Sequence, residues 1–383
     1  MTRHASLLLS SAAALLLMPP ASRAGGSFGK LWGIQQESGA TAGFDSNIYG
    51  SANNERSDGF TSLSHRFLIG RKNSLSRAEL SADVAGTWFI SEHDGNTIDG
   101  GVELNAGYPT DPGDVSSWNA NAYWRSQHDI DYRVAQRMKI ISYGTGLSGE
   151  WLSSPKLGFT GELEADVQDR SDLRYYTSRK IRASLGVSHA RHPEQRWNLE
   201  YGFEVGETDP DNPSLEGTDS ISHILGFRAR GRLLPKVTGN VFLGIRHTDF
   251  SGRYDFSDTG PRALANVTWA ASAQLTAQIS ARADYQFTAS GEATQRTAVE
   301  VNVKRKLARG FAVSGSLAPS VHDYFRNAGN RRDQVMMLAA TLEYARTERF
   351  FGSLSAMWVS SDSNQAGWNA SRTLITLTGR LRY

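Results

Sequence analysis

Three arginines at alternate positions, Arg228, Arg230 and Arg232, are the most chemically suggestive residues of this chain. Successive side chains of an extended strand point to opposite faces, so every second residue lines one face. The three guanidiniums then form one ladder, with Leu225, Phe227, Ala229, Gly231 and Leu233 behind it. Such a ladder can guide anions along a channel, or acids on an opposite wall can neutralise it. Spacing alone leaves both open. An acidic row has the same period: Glu162, Glu164 and Asp166, followed by Gln168, against Leu157, Phe159, Gly161, Leu163, Ala165 and Val167. The next segment sets Lys180, Arg182, Ser184 and Ser188 against Ile181, Ala183, Leu185 and Val187. Opposite charges on neighbouring strands stabilise each other modestly and set a transverse field if they line a pore. Arg246, Arg282 and Arg296 complete the set of candidate pore-lining residues.

Other chemistry finds little support. The chain has no cysteine, hence no disulfide, thiol nucleophile or cysteine metal site. No GxSxG elbow and no HExxH pair occurs, and none of the nine histidines falls in a short motif with a nucleophile and an orienting acid. No catalytic residue, metal ligand or cofactor is expected. Asp209, Asp211 and the 216–219 stretch lack the spacing of a calcium loop. With 41 Lys and Arg against 39 Asp and Glu, interspersed, the chain lacks the basic patch of a nucleic-acid binder.

The elements that must carry these rows are strands. From Ser38 onward, segments of alternating character recur, separated by polar turns: 38–50, 58–71, 74–90, 97–108, 117–127, 136–152, 156–169, 175–190, 195–207, 219–234, 236–250, 261–271, 273–288, 294–305, 308–322, 333–346, 349–361 and 370–383. Each exceeds the roughly 9–11 residues a tilted spanning strand needs. A soluble sandwich would bury the apolar faces in protein, whereas a membrane barrel turns them to lipid. The expected fold is all-β: a transmembrane antiparallel β-barrel of the outer-membrane type, with about 18 strands and 16 as the alternative. Short connections such as 71–73, 153–155 and 346–348 belong on the periplasmic side, and 207–218, 249–260 and 323–332 read as longer outer loops. No loop stands out as long enough to fold in and constrict the lumen. Trp88, Tyr108, Trp151, Trp197, Trp269 and Trp358 suit interfacial girdles. Tyr123, Tyr143 and Phe242 are candidates to point inward.

At the start, a basic tetrapeptide precedes an apolar run from Ala5 to Leu17, then Pro19, Pro20 and Ser22-Arg23-Ala24. This reads as a signal peptide over 1–24 with cleavage after Ala24, too short in its apolar core to span a bilayer. Residues 25–37 read as a periplasmic or lumenal segment and 38–383 as the barrel. The last strand offers Leu377, Gly379, Leu381 and Tyr383 as an assembly signal ending on an aromatic. The expected location is the outer membrane of a Gram-negative cell. The expected partners are its lipid and lipopolysaccharide and the barrel assembly machinery, with no nucleic acid.

The first segment contains Asp45-Ser46-Asn47 followed by Ile48-Tyr49. That motif, with a barrel running to an aromatic end, resembles the β-barrel porin type 2 family over roughly 41–383. The resemblance implies a porin-like barrel or, as in some exopolysaccharide secretion loci, the exit for a polymer, with periplasmic secretion components as partners. Tyr383 stands where Phe is more frequent. Physically, Asp45 and Asn47 would face the lumen at the seam between first and last strands. The function classes are thus a channel for hydrophilic solutes, a polysaccharide exit, a non-conducting structural or adhesion barrel, and, last, an outer-membrane enzyme.

Overall fold

In this computed structural model the described residues are 33–383, except 53–54, 73–75, 109–115, 132–135, 171–175, 193, 211–215, 254, 289, 326–330 and 366. The expected signal peptide and cleavage point over 1–24, and residues 25–32, lie outside them. Eighteen strands follow: β1 (Gly33–Asp45), β2 (Asp58–Lys72), β3 (Arg77–Phe89), β4 (Thr97–Tyr108), β5 (Ser117–Asp131), β6 (Gln136–Leu152), β7 (Leu157–Arg170), β8 (Tyr176–His192) and β9 (Gln195–Pro210). The second half holds β10 (Thr218–Leu234), β11 (Val237–Gly252), β12 (Phe256–Ala270), β13 (Leu275–Phe287), β14 (Ala293–Lys306), β15 (Phe311–Tyr324), β16 (Arg332–Ala345), β17 (Phe350–Ser363) and β18 (Ala370–Arg382).

Each strand pairs antiparallel with its neighbour in sequence, and β1 pairs with β18 from Glu37↔Arg382 to Asp45↔Leu374. The sheet is therefore a closed barrel without edges, and every strand has a hydrogen-bonding partner on both sides. Closure is what a sheet needs in lipid, where no water satisfies an open edge. β1 begins and β18 ends at one rim, called here the terminal end; the opposite rim is the loop end.

Burial is inverted relative to a soluble protein. Leu185 is 72% exposed, Ile245 63% and Leu377 62%, while Glu204, Arg246 and Asp284 are at most 3% exposed. Apolar residues face outward and charge faces the lumen, the pattern of a barrel whose solvent outside is hydrocarbon. Near the terminal end, outward aromatics form a girdle: Tyr108, Trp118, Trp151, Trp269 and Phe350 are exposed, and Trp151 stacks on Phe159 at 5.6 Å. Trp197 meets Phe227 edge-on at 5.4 Å in the same band. Trp358 is outward but lies within β17 rather than near its end.

Some boundaries differ from the sequence reading. β1 runs 33–45 rather than 38–50, so 33–37 join the wall and 46–50 leave it. The polar pair Gln35-Gln36 hides this start, and its backbone is held by β2 and by Tyr383. β12 starts at Phe256 rather than 261 and β11 continues to Gly252, so the expected long loop over 249–260 shrinks to 253–255. β9 takes in Asp209 and Pro210, whereas Asp211 and Asn212 lie outside the described residues.

Candidate channel lumen

The lumen wall from β6 to β13 carries charge in layers. Nearest the terminal end, Glu150 of β6 accepts from Ser188 at 2.7 Å and pairs with Arg196 at 3.3 Å and with Arg230. One layer up, Arg228 grips Glu200 with Nε at 2.7 Å and Nη2 at 2.9 Å. The Arg228 guanidinium also lies 5.3 Å over the Phe242 ring. That ring lies flat on the wall because two glycines leave room for it. A Cβ on Gly226 would sit 2.3 Å from Phe242 Cζ, and one on Gly244 3.0 Å from it.

The next layer is a network across six strands. Glu204 of β9 meets Lys180 at 2.9 Å, Arg262 at 3.5 Å and Arg246. Asp284 of β13 meets Arg262 at 3.4 Å, Arg282 at 3.8 Å and Arg246. Arg246 also reaches Ser222 at 3.0 Å and Thr248 at 3.2 Å. Two carboxylates thus hold two buried arginines and two more accessible cations, so the layer is rigid, and basic on balance. Breaking such a buried pair by removing one member is strongly destabilising, since it strands a charge.

At the loop end two segments turn inward. Residues 46–51 form a strap that leaves β1 and runs past Glu92 to β5 and β6. Asp45 anchors its root through Arg372 of β18, with contacts of 2.6–3.1 Å. Ser46 exchanges bonds with Thr373 at 2.9 and 2.7 Å. Asn47 donates to the carbonyls of Ser51 and Ser371, both at 3.0 Å, and accepts from the Ser51 amide at 3.1 Å. Ile48 and Asn47 are 0% exposed. At the far side Arg137 of β6 donates to the carbonyls of Ile48 at 3.2 Å and Tyr49 at 2.8 Å. Gly50, at φ +66°, presses on Ile130, where a Cβ would lie 2.2 Å from Cγ2. Burial raises the Tyr49 phenol above its usual pKa, the Glu92 carboxylate adding to it, so it stays a donor toward Glu92 at 3.4 Å. The route of this strap depends on Ile130 and Arg137, far along the chain, where no local pattern shows it.

Opposite the strap, the β13–β14 connection also leans in. Gly291 packs on the Tyr176 ring, and its carbonyl accepts from Thr218 at 3.3 Å. Phe250, Tyr285 and Ala293 form an apolar cluster there with Phe256, Phe287 and Phe325. Two cavities open along the wall at this level. One, of about 230 Å³, is lined by Asp166, Lys180, Arg282 and Phe287 among others, and one, of about 260 Å³, lies beside Tyr49 and His128; Arg170 borders both.

Of the sequence-derived residues, Glu162 accepts from Ser184 at 3.5 Å, Glu164 faces Arg182 at 3.7 Å, and Asp166 takes the Tyr123 hydroxyl. Arg232 pairs with Glu194 at 2.7 Å near the terminal rim. Arg296 stands across from Asp284 and His322 in register. Tyr143, expected inward, is outward and 47% exposed, opposite Val167 and Trp124 of the lipid face. Leu377, Leu381 and Tyr383 face outward, and Gly379 lies between Ala40 and Gly352. Glu150, Glu200, Glu204 and Arg262 were not singled out from sequence. Glu200 and Glu204 share the alternate-residue signal of the other rows, but their partners come from strands remote in sequence. Among the described residues no cluster of His, Asp or Glu is arranged to hold a metal ion.

Residues 225–383 match the family model described as "Putative beta-barrel porin 2". The match starts within β10 and leaves out the Asp45-Ser46-Asn47 segment from which the resemblance is read. No curated protein matches the sequence. Among solved structures the chain is similar to the outer membrane protein OpdK of Pseudomonas aeruginosa, at 10% identity and TM-score 0.48, covering 92% of this chain and 99% of that one. It is also similar to OccAB3 of Acinetobacter baumannii, at 10% identity and TM-score 0.44 over 91% and 99%. A bacterial polysaccharide outer membrane secretin follows at 11% identity and TM-score 0.39 over 91% and 98%. The barrel stands on its own strand pairing, and these likenesses add nothing finer.

Proposed function

We propose that this barrel is an outer-membrane channel for small hydrophilic solutes, narrowed at its outer mouth. The terminal end would face the periplasm, reached after cleavage of residues 1–24, and the loop end the outside. This follows the usual placement of both barrel ends and of the shorter turns. Assembly machinery and the lipid and lipopolysaccharide of that membrane are the implied surroundings. The observation that carries the reading is the wall itself: apolar outside, charged inside, with many of the inner charges of β6 to β13 paired. Paired groups leave a polar path with a weaker charge bias than a bare arginine ladder would give, which tolerates solutes of either sign better. The strap and the β13–β14 connection restrict the entrance, which favours small solutes over a passing polymer while they stay docked. A polysaccharide exit remains the reading implied by family resemblance, and it requires the strap to leave the mouth.

Single-channel recording of the refolded barrel in a planar bilayer tests this. The expected result is a steady conductance well below that of an unobstructed barrel of this strand number. No conductance from protein whose heat-modifiable gel mobility proves folding would overturn the channel and leave a structural barrel. A large conductance insensitive to the strap would overturn the narrowed mouth.

A further inference from the structure

The lipid-facing belt is flanked by opposite charges at its two edges. At the loop end the outward residues beyond the aliphatic band include Asp169, Glu207, Asp209, Asp219 and Asp249, with Arg179 bound to Glu207 and Asp209 and Arg332 to Asp323. At the terminal end the outward positions carry arginine. Arg71 continues the face of Ile69, opposite Ala78. Arg305 sits between the outward Leu275 and Val313. Arg191 lies 5.3 Å over the ring of Trp197, itself in the girdle. None of the three makes an ion pair among the described residues, and Arg191 and Arg305 are exposed. Exposed Lys156, Lys236 and Arg346 add charge in the turns below.

We infer that this edge binds anionic phospholipid headgroups of the periplasm-facing leaflet. A guanidinium on the lipid face, level with the aromatic girdle, can run its apolar stem along hydrocarbon and hold its head at the phosphate plane. There it makes charge-assisted, bidentate bonds to phosphate oxygens. At the loop end the outward cations Arg179 and Arg332 are neutralised by Glu207, Asp209 and Asp323, whereas the three arginines of the terminal edge have no carboxylate partner among the described residues. The inference rests on the membrane-barrel reading and its orientation, but not on conductance.

The test uses the full chain in vesicles of phosphatidylethanolamine with one-fifth phosphatidylglycerol, extracted gently, with the retained lipids quantified by mass spectrometry. Wild type is expected to retain phosphatidylglycerol in excess over its bulk share. Joint Arg71→Gln, Arg191→Gln and Arg305→Gln substitution is expected to abolish that excess. At each of the three positions the preference for phosphatidylglycerol over phosphatidylethanolamine should fall roughly fivefold, the ratio that ~1 kcal/mol per basic group near an anionic surface corresponds to. The Lys triple variant, which keeps charge, is expected to retain most of it. Gel mobility scores folding for every variant, and a planar-bilayer recording scores the channel reading separately. Equal phosphatidylglycerol retention by folded wild type and Gln variant would overturn the inference and leave the rim to an acidic protein partner.

Discussion

Loosening the strap at Asn47 should open the channel without unfolding it. Asn47→Ala removes the two bonds its amide donates to Ser51 and Ser371 and the one its oxygen accepts from Ser51. At about 0.5–1.5 kcal/mol net per bond, the docked strap loses ~2–4 kcal/mol. The equilibrium between docked and released strap then moves by about 30- to 700-fold, at ~1.4 kcal/mol per factor of ten. The wall should survive, because β1 keeps its ladders to β18 and β2 on either side of the seam. A second, independent perturbation works from the far contact: Gly50→Ala places a methyl against Ile130 at a left-handed backbone position. Overpacking costs about 1–3 kcal/mol and the conformation about 1–2 kcal/mol, so its effect should be similar. The assay is single-channel conductance on protein with wild-type heat-modifiable mobility. Both variants are expected to show added, larger conductance levels or long dwells in one. If both conduct at the wild-type level with wild-type noise, the strap does not limit the mouth and the reasoning fails.

Four further outcomes are expected. Neutralising Arg228, Arg230 and Arg232 together leaves Glu200, Glu150 and Glu194 with less positive charge beside them, so the reversal potential in a salt gradient should move toward cation preference; an unchanged potential counts against any lumenal role for the row. Arg246→Leu removes the cation between Glu204 and Asp284 but leaves them Lys180, Arg262 and Arg282, so in denaturant titration of the refolded barrel it should lower stability by less than the ~3–5 kcal/mol that stranding a buried charge costs. Gly226→Val should cost about 1–3 kcal/mol by displacing Phe242, and a barrel as stable as wild type would mean the ring can swing into the lumen. Deleting Tyr383 removes the two backbone bonds it exchanges with Gln36 at the seam, so surface levels should fall; normal levels would show the seam closes without it.

Much of the barrel was legible because one face of each strand meets hydrocarbon. β7 shows why: Leu157, Phe159 and Leu163 are exposed and alternate with the carboxylates, so period and face can be read together. β1 was misplaced because Gln35, Gln36 and Gly39 dilute that alternation, whereas its motif residues Asp45 and Asn47 turn out to begin the strap. Tyr143 was misassigned because a tyrosine suits either an interfacial or a lumenal face; only its register against Val167 decides.

The arginine row shows where reading a strand stops. Its period revealed that three guanidiniums share one face, and that is all a single strand can encode. Whether they attract a passing anion depends on the acids beside them, and those sit on β6, the β8–β9 connection and β9: Glu150, Glu194 and Glu200. Glu150 is 80 residues from Arg230 in sequence, so no local pattern could pair them. The lumen brings them together only once every register is set. A charge row in a barrel strand is therefore better read as half of a pair than as an attractor, unless the facing strands lack acids of matching height. Here they do not lack them, and the field along the pore is set by differences between pairs rather than by the row. The most basic layer described is that of Lys180, Arg246, Arg262 and Arg282, with Glu204 and Asp284 at its centre. Any residual ion preference of this channel should arise there, so Arg282→Gln, at a side chain 53% exposed, should shift the reversal potential more than Arg232→Gln at the rim.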